Sequence, residues 1–387
     1  MLIFGKVMPN TQRKIKVVAV FSLIEHANEF YWYAHYLNSS IFELHCIFLN
    51  PAETPVQKKI AALGIPCYLI DYSGKKDVLR TLLKTIRLLN IIKPDIIHPQ
   101  LFDASFIALT AAWLAGYKNR LHTRHHSDIH HKYHPQAVKY DRWINLLSKK
   151  IICPSEQTKA LLIEKENVTE RKITVIRHGF DFDDFIVNEN DKIEIMQKYK
   201  LTGFPLIGVV SRFTEWKGVQ FTIKAFERIL EKYPDAILVL AGVGGDYETE
   251  ILNLLKQIPT KNYRIIKFEK DIYALFSTFN IFVHVPISKD AETFGQIYVE
   301  AFALKIPSVI TLSGIAYDCE LFKKYANVID YMNDHEIFDA MIYILSHYKE
   351  CVNNMESASI EVKREFTFDK KIKSIEHIYL SFFSVVK

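Results

Sequence analysis

The chain has 387 residues, 49% hydrophobic and 24% charged, which argues against a disordered or fibrous protein and suits two domains of ordinary size. No apolar run reaches the roughly 18–20 residues of a membrane-spanning helix, and residues 1–16 lack the apolar core of a leader peptide, so a cytoplasmic protein is expected. The net charge of +5 is uneven: residues 1–180 hold 25 Lys and Arg against 14 Asp and Glu, and the remainder holds 24 against 30, the pattern of two domains with different partners.

In chain order, β-branched and apolar runs at 16–21, 44–49, 68–71, 95–98, 120–123 and 151–153 predict a first set of strands. A charged, helix-like stretch at 188–200 and a turn at 202–205 then mark a boundary. A second set follows at 206–211, 236–241, 263–268, 281–285, 308–312 and 328–330. Amphipathic helical patterns lie between them, as at 219–232 and 296–304. Continuous apolar strands alternating with helices predict two doubly wound, parallel-sheet α/β domains. They are placed at 1–195 and 196–368, with a last helix at 369–387 packing back on the first.

The five cysteines are odd in number and form no Cys-x-x-Cys pair, which argues against a disulfide framework or zinc ribbon. No Gly-x-Gly-x-x-Gly follows the first strand; Ser22–Asn28 stand there instead, which disfavours a dinucleotide-dependent dehydrogenase. No Gly-x4-Gly-Lys-Ser/Thr occurs either, which disfavours a P-loop hydrolase.

Three elements of the second half point to chemistry. Arg212 and Lys217 sit just past the carboxyl end of a strand, where open α/β sheets bind ligands, and they suit a diphosphate. Gly242, Gly244 and Gly245 follow the next strand and allow close backbone approach to a ligand. Glu292 and Glu300 stand eight positions apart across the start of a helix, with the Phe294 and Gly295 amides at its N-terminus. Such carboxylates accept hydrogen bonds from the hydroxyls at two ends of one ligand.

The strings VVSRFTEWKGVQFTIKA, LVLAGVG and ETFGQIYVEAFALKIPSVI together resemble the family-4 glycosyltransferases. The Arg-x4-Lys-Gly and Glu-x7-Glu patterns carry the likeness, which covers nearly all of 205–320. The resemblance implies the GT-B fold, two Rossmann-like domains facing across a cleft, and a retaining transfer of sugar from a nucleotide-diphosphate sugar to a glycan or lipid-linked acceptor. It implies that Arg212 and Lys217 hold the diphosphate, Glu300 the ribose, and Glu292 the donor sugar, with Phe294 and Gly295 amides nearby. Gly244 approaches the donor and Phe268 lies along the nucleobase. It favours a UDP-sugar over a GDP-sugar and requires neither cofactor nor metal. Capsule, lipopolysaccharide O-antigen or glycolipid assembly is the implied setting. The glycine-rich loop that follows the first strand in that family is missing here.

Six histidines crowd residues 122–134. Their spacing fits no standard zinc pattern. The resemblance places His125 at the donor sugar, with His126 as second choice; Arg124, His126 and His178 are candidates for the acceptor side. The basic amphipathic stretch 75–93 is read either as a sheet-covering helix or as a contact with an anionic membrane surface. Nothing resembles a nucleic-acid-binding signature. Two rivals share the fold: a sugar-nucleotide 2-epimerase and a non-catalytic nucleotide-sugar-binding protein.

Overall fold

The computed structural model describes residues 13–242 and 244–383. Most of the stretch read as free of a leader, Val243 of the glycine loop, and the last four residues of the segment 369–387 lie outside them.

The chain forms two compact units. The first takes the chain up to Thr123, then Lys139–Ile152, then the chain from Ile375; the second takes Arg124–Val138 and Cys153–Ser374. The sequence reading divides the chain at 195/196 with 369–387 returning to the first domain; here residues 124–138 and 153–195 fall in the second unit and the return begins at Ile375.

In the first unit, β1 (Ile15–Ser22), β2 (Phe42–Leu49), β3 (Cys67–Ile70) and β4 (Ile96–Pro99) lie parallel in the order β3-β2-β1-β4. Bridges from Ile97 to Arg120 and from Gln100 to Thr123 continue the sheet to β5 (Leu121–Thr123), which pairs with β6 (Lys150–Cys153). Val18, Val20, Ile47, Leu49 and Ile97 point to one face and bury against the helices Val78–Ile92 and Phe102–Leu114. The last helix, Phe368–Ser381, brings Tyr379 into this unit. Its hydroxyl meets those of Tyr33 and the Nδ1 of His98, each at 2.6 Å, and His98 Nε2 reaches Thr123 Oγ1 at 2.8 Å. All four side chains are buried, so the network satisfies polar groups that could not otherwise reach water.

The helix Val78–Ile92 departs from simple amphipathic expectation. Thr81, Thr85, Leu89 and Ile92 face inward, while Leu79, Leu83 and Ile91 are 69%, 52% and 76% exposed. Among the described residues, no helix is long and apolar enough to cross a membrane.

The second unit holds β7 (Ile173–Val175), which no sequence pattern announced, and the strands β8 (Leu206–Val210), β9 (Ile237–Ala241), β10 (Tyr263–Ile266), β11 (Ile281–His284), β12 (Ser308–Ile310) and β13 (Asn327–Val328). The last six form one parallel sheet in the order β10-β9-β8-β11-β12-β13. Alternate residues serve two cores, as the two-residue period of a strand requires. Leu238 and Leu240 bury on one face; Ile237, Val239 and Ala241 bury on the other. The helix Val219–Lys232 covers the first face with Val219, Ile223, Phe226 and Ile229, one side of a 3.6-residue period, and ends before Pro234, which cannot continue it. Burial of those four side chains contributes about 6–12 kcal/mol of transfer free energy. The strand order reverses between β8 and β11, so the loops leaving these strands diverge and open a crevice at their carboxyl ends.

Candidate active site

The crevice is lined from both sides. The loop after β8 supplies Arg212 and Lys217, and the loop after β11 supplies Glu292. Gly218 makes their approach possible. It has φ +72°, and a Cβ there would stand 1.9 Å from the Val285 carbonyl oxygen, so only glycine fits. The Ile287 amide donates to the Trp216 carbonyl at 3.1 Å and ties the two loops together.

Lys217 Nζ donates to Glu292 Oε1 at 2.5 Å, and His284, the last residue of β11, donates from Nε2 to the same oxygen at 2.8 Å. The Glu292 amide donates to Ser313 Oγ at 2.9 Å. Burial pushes the Glu292 carboxyl up, but the Lys217 ammonium and the His284 N–H outweigh it and hold its pKa at about 2. It is therefore an ionised acceptor at neutral pH. Arg212 is exposed at the same mouth.

The helix Gln296–Ala303 begins at Gly295, whose φ of +81° and close approach to the Tyr298 ring exclude a side chain. Phe294 is buried, and its carbonyl accepts from the Ile315 amide at 2.8 Å. Glu300, one turn into this helix, is half-buried, and burial raises its pKa to about 7. It receives no hydrogen bond to its carboxyl from any described residue. The carbonyl of Gly244, beside β9, accepts from the Phe213 amide at 2.9 Å, which links the glycine loop to the Arg212 loop. Phe268, beyond β10, is 59% exposed.

Within the second unit, His125, Ser155, Thr158 and His178 gather at the Glu292 loop. Thr293 Oγ1 donates to the His125 carbonyl at 3.3 Å, and the hydroxyls of Ser155 and Thr158 donate to the Thr293 carbonyl at 2.5 and 3.4 Å. The His125 and His178 rings lie 6.0 Å apart, and His178 meets the Phe294 ring edge-on at 4.9 Å. Lys371 Nζ donates to His178 Nδ1 at 3.2 Å. The structure thus brings His125, His178, Phe294 and Glu292 to one loop.

Two candidates stand elsewhere. The Arg124 side chain is only 2% exposed and bonds Glu166 at 2.6 Å; His131 reaches the same carboxylate at 3.2 Å. Arg124 is a buried ion-pair partner here, placed inside the unit rather than at an open acceptor surface. The His126 ring packs 4.2 Å from that of His130, and its carbonyl accepts from Arg124 Nε. The residues that sequence reasoning missed are His284, Ser313 and Thr158. A histidine closing an otherwise apolar strand next to the carboxylate loop was the available signal for the first.

Residues 191–361 match the family model described as glycosyl transferases group 1, and residues 33–184 match the model described as glycosyltransferase family 4. The chain is 27% identical over 247 residues to the capsular polysaccharide biosynthesis glycosyltransferase CapM of Staphylococcus aureus, covering 60% of this chain and 62%, under two thirds, of that relative. It is 23% identical over 362 residues to the UDP-Gal:alpha-D-GlcNAc-diphosphoundecaprenol alpha-1,3-galactosyltransferase of Escherichia coli, covering 87% of this chain and 88% of the relative. The crystal structure of Anabaena Alr3699/HepE in complex with UDP-glucose superposes with a TM-score of 0.81 at 16% identity, over 95% of this chain and 100% of that one.

Proposed function

Because the chain belongs to the family-4 glycosyltransferases, proteins of the GT-B fold, we propose that it transfers a sugar from a nucleotide-diphosphate sugar to a glycan or lipid-linked acceptor with retention of anomeric configuration. The carrying observation is the Lys217–Glu292 ion pair at the switch point of the second sheet, with Arg212 open beside it. Arg212 and a remaining N–H of Lys217 neutralise the charge that develops on the leaving diphosphate, a preorganised electrostatic contribution. The half-buried Glu300 takes the ribose hydroxyls, Glu292 takes hydroxyls of the donor sugar, and Phe268 lies along the base. His125 orients the reacting groups at the donor sugar. The departing phosphate accepts the proton of the attacking hydroxyl, so the C–O bond to the acceptor forms on the face from which the diphosphate leaves. In this proposal two cations perform the neutralising role, and transfer needs neither a metal nor a cofactor.

A UDP-sugar is the proposed donor. The E. coli relative is named for UDP-Gal, and the Anabaena structure holds UDP-glucose. The S. aureus relative is named for capsular polysaccharide and the E. coli relative for a diphosphoundecaprenol acceptor, which supports a setting in cell-surface polysaccharide or glycolipid assembly. A lipid-linked acceptor would be met at an anionic membrane surface. The exposed Leu79, Leu83 and Ile91, interleaved with exposed Lys76, Lys84 and Arg87, support contact through that helix.

The test is a thermal-shift titration with UDP, GDP, ADP and their hexose conjugates, with EDTA and with Mg²⁺, on wild type and Glu300→Ala. A ligand at about 100 times its dissociation constant adds about 2.7 kcal/mol of stability. A shift with the uridine series, lost in the variant and indifferent to EDTA, is expected. No shift with any nucleotide, or UDP-GlcNAc epimerised without acceptor, refutes the transferase reading.

A further inference from the structure

We infer that His284 is a positioning residue for Glu292: by binding one carboxylate oxygen it presents the other to a hydroxyl of the donor sugar. The inference rests on the transferase reading above.

His284 is buried, with its ring 6.1 Å from that of Phe282 in a stacked arrangement and 4.9 Å from that of Tyr298, edge-on. The Tyr298 hydroxyl is itself tied to the Thr311 carbonyl at 3.1 Å, so the slot is rigid. Its Nε2 faces an ionised carboxylate at 2.8 Å and must carry the proton. Its Nδ1 is then an acceptor, buried, with no hydrogen-bond partner among the described residues. An apolar ring would fill this slot without stranding a nitrogen, and a stranded buried polar atom calls for a reason other than packing. Burial holds the imidazole below its ordinary pKa, which keeps it a single-proton donor rather than a second cation beside Lys217.

The consequence falls on Glu292. Oε1 receives both Lys217 and His284, while Oε2 receives no bond from a described residue, and about a tenth of the side chain remains accessible. Lys217 alone, on four rotatable bonds, leaves the carboxylate free to rotate and to offer either oxygen. The imidazole comes from a β-strand and fixes the rotation. Because the carboxylate is an acceptor only, Oε2 selects a ligand that offers an O–H or N–H there, as a hexose hydroxyl does and a bare nucleotide diphosphate does not.

The experiment compares UDP with UDP-glucose, UDP-galactose and UDP-GlcNAc by calorimetry, and UDP release without acceptor, in wild type, His284→Phe, His284→Met and His284→Gln. Phe matches the ring slot, and Met gives a second side chain without an N–H should Phe not fold. The expected result is UDP affinity within about twofold of wild type in the Phe or Met variant. The added affinity of the preferred sugar and the kcat of UDP release both fall about tenfold, and both recover in part with Gln, which restores an N–H. A sugar contribution unchanged without the N–H overturns the inference and leaves the transferase reading intact, as does a parallel loss of UDP affinity, which marks a structural role. A wild type that binds UDP but gains nothing from any of the sugars overturns it too. A wild type that binds no nucleotide overturns the transferase reading and the inference with it.

Discussion

Replacing Lys217 with methionine should invert the pH dependence that Glu292 imparts to stability. In the wild type its folded pKa of about 2 lies below the ordinary 4.5. The group therefore stabilises the fold by about 3 kcal/mol, at 1.36 kcal/mol per pKa unit, fully above pH 4.5 and progressively less as pH falls toward 2. Without Lys217, the largest counterweight to burial is gone, and His284, its pKa held below the ordinary value, supplies chiefly a hydrogen bond. The folded pKa then rises above the unfolded value, and the carboxyl costs stability that grows as pH rises through and beyond 4.5. The difference between wild type and Lys217→Met should be small near pH 2, already about 2–3 kcal/mol near pH 4, and reach about 3–5 kcal/mol at pH 8, the usual cost of breaking one side of a buried pair. For a unit of this size that is a loss of roughly 6–20 °C in melting temperature. Calorimetric melts from pH 2.5 to 8 read it directly, and Glu292→Gln in the Lys217→Met background should return much of the loss at pH 8. A gap that is constant across this range, or a double variant as unstable as the single one, would show that the pair does not control the loop.

Glu300→Gln should stabilise the protein at pH 8 by about 2–3 kcal/mol and have no effect near pH 4. The wild-type carboxyl with a pKa of about 7 costs stability that sets in above 4.5 and is complete above 7; the same variant should lose about tenfold in UDP affinity by calorimetry. His125→Ala should lower kcat for transfer at least tenfold with UDP affinity unchanged, read by UDP release with and without acceptor. Leu83→Glu with Ile91→Glu should weaken sedimentation with phosphatidylglycerol vesicles by about tenfold or more and leave phosphatidylcholine vesicles and the melting temperature unaffected, since both side chains are exposed.

The doubly wound plan was legible because parallel strands buried on both faces read as unbroken apolar runs, as Leu206–Val210 and Ile237–Ala241 do. The strand β7 was not, since three residues with a central threonine carry no pattern. In the site, Arg212, Lys217, Glu292 and Glu300 were visible because each follows a strand or opens a helix at a fixed spacing. Arg124 misled because a cation beside His125 looks like a ligand group, whereas its partner Glu166 stands 42 positions away. His284 was hidden for the same reason in reverse: it fits silently into a strand, and only the fold turns its Nε2 toward Glu292. The helix at Val78–Ile92 offered enough leucines to predict an apolar inner face, yet threonines occupy part of it.

The grip of Ser155 and Thr158 on the Thr293 carbonyl also sets a schedule for biosynthesis. Ser155 precedes Thr293 by 138 residues, and Gln157 waits for Asp318, 161 residues later. At about 5–20 residues per second, roughly 7–30 s pass between the emergence of the hydroxyls and that of the loop they hold. During that interval the Thr293 carbonyl that Ser155 and Thr158 hold in the fold has not yet been made. A chain that ends anywhere between residues 160 and 290 carries Ser155 and Thr158 without the Thr293 carbonyl they hold.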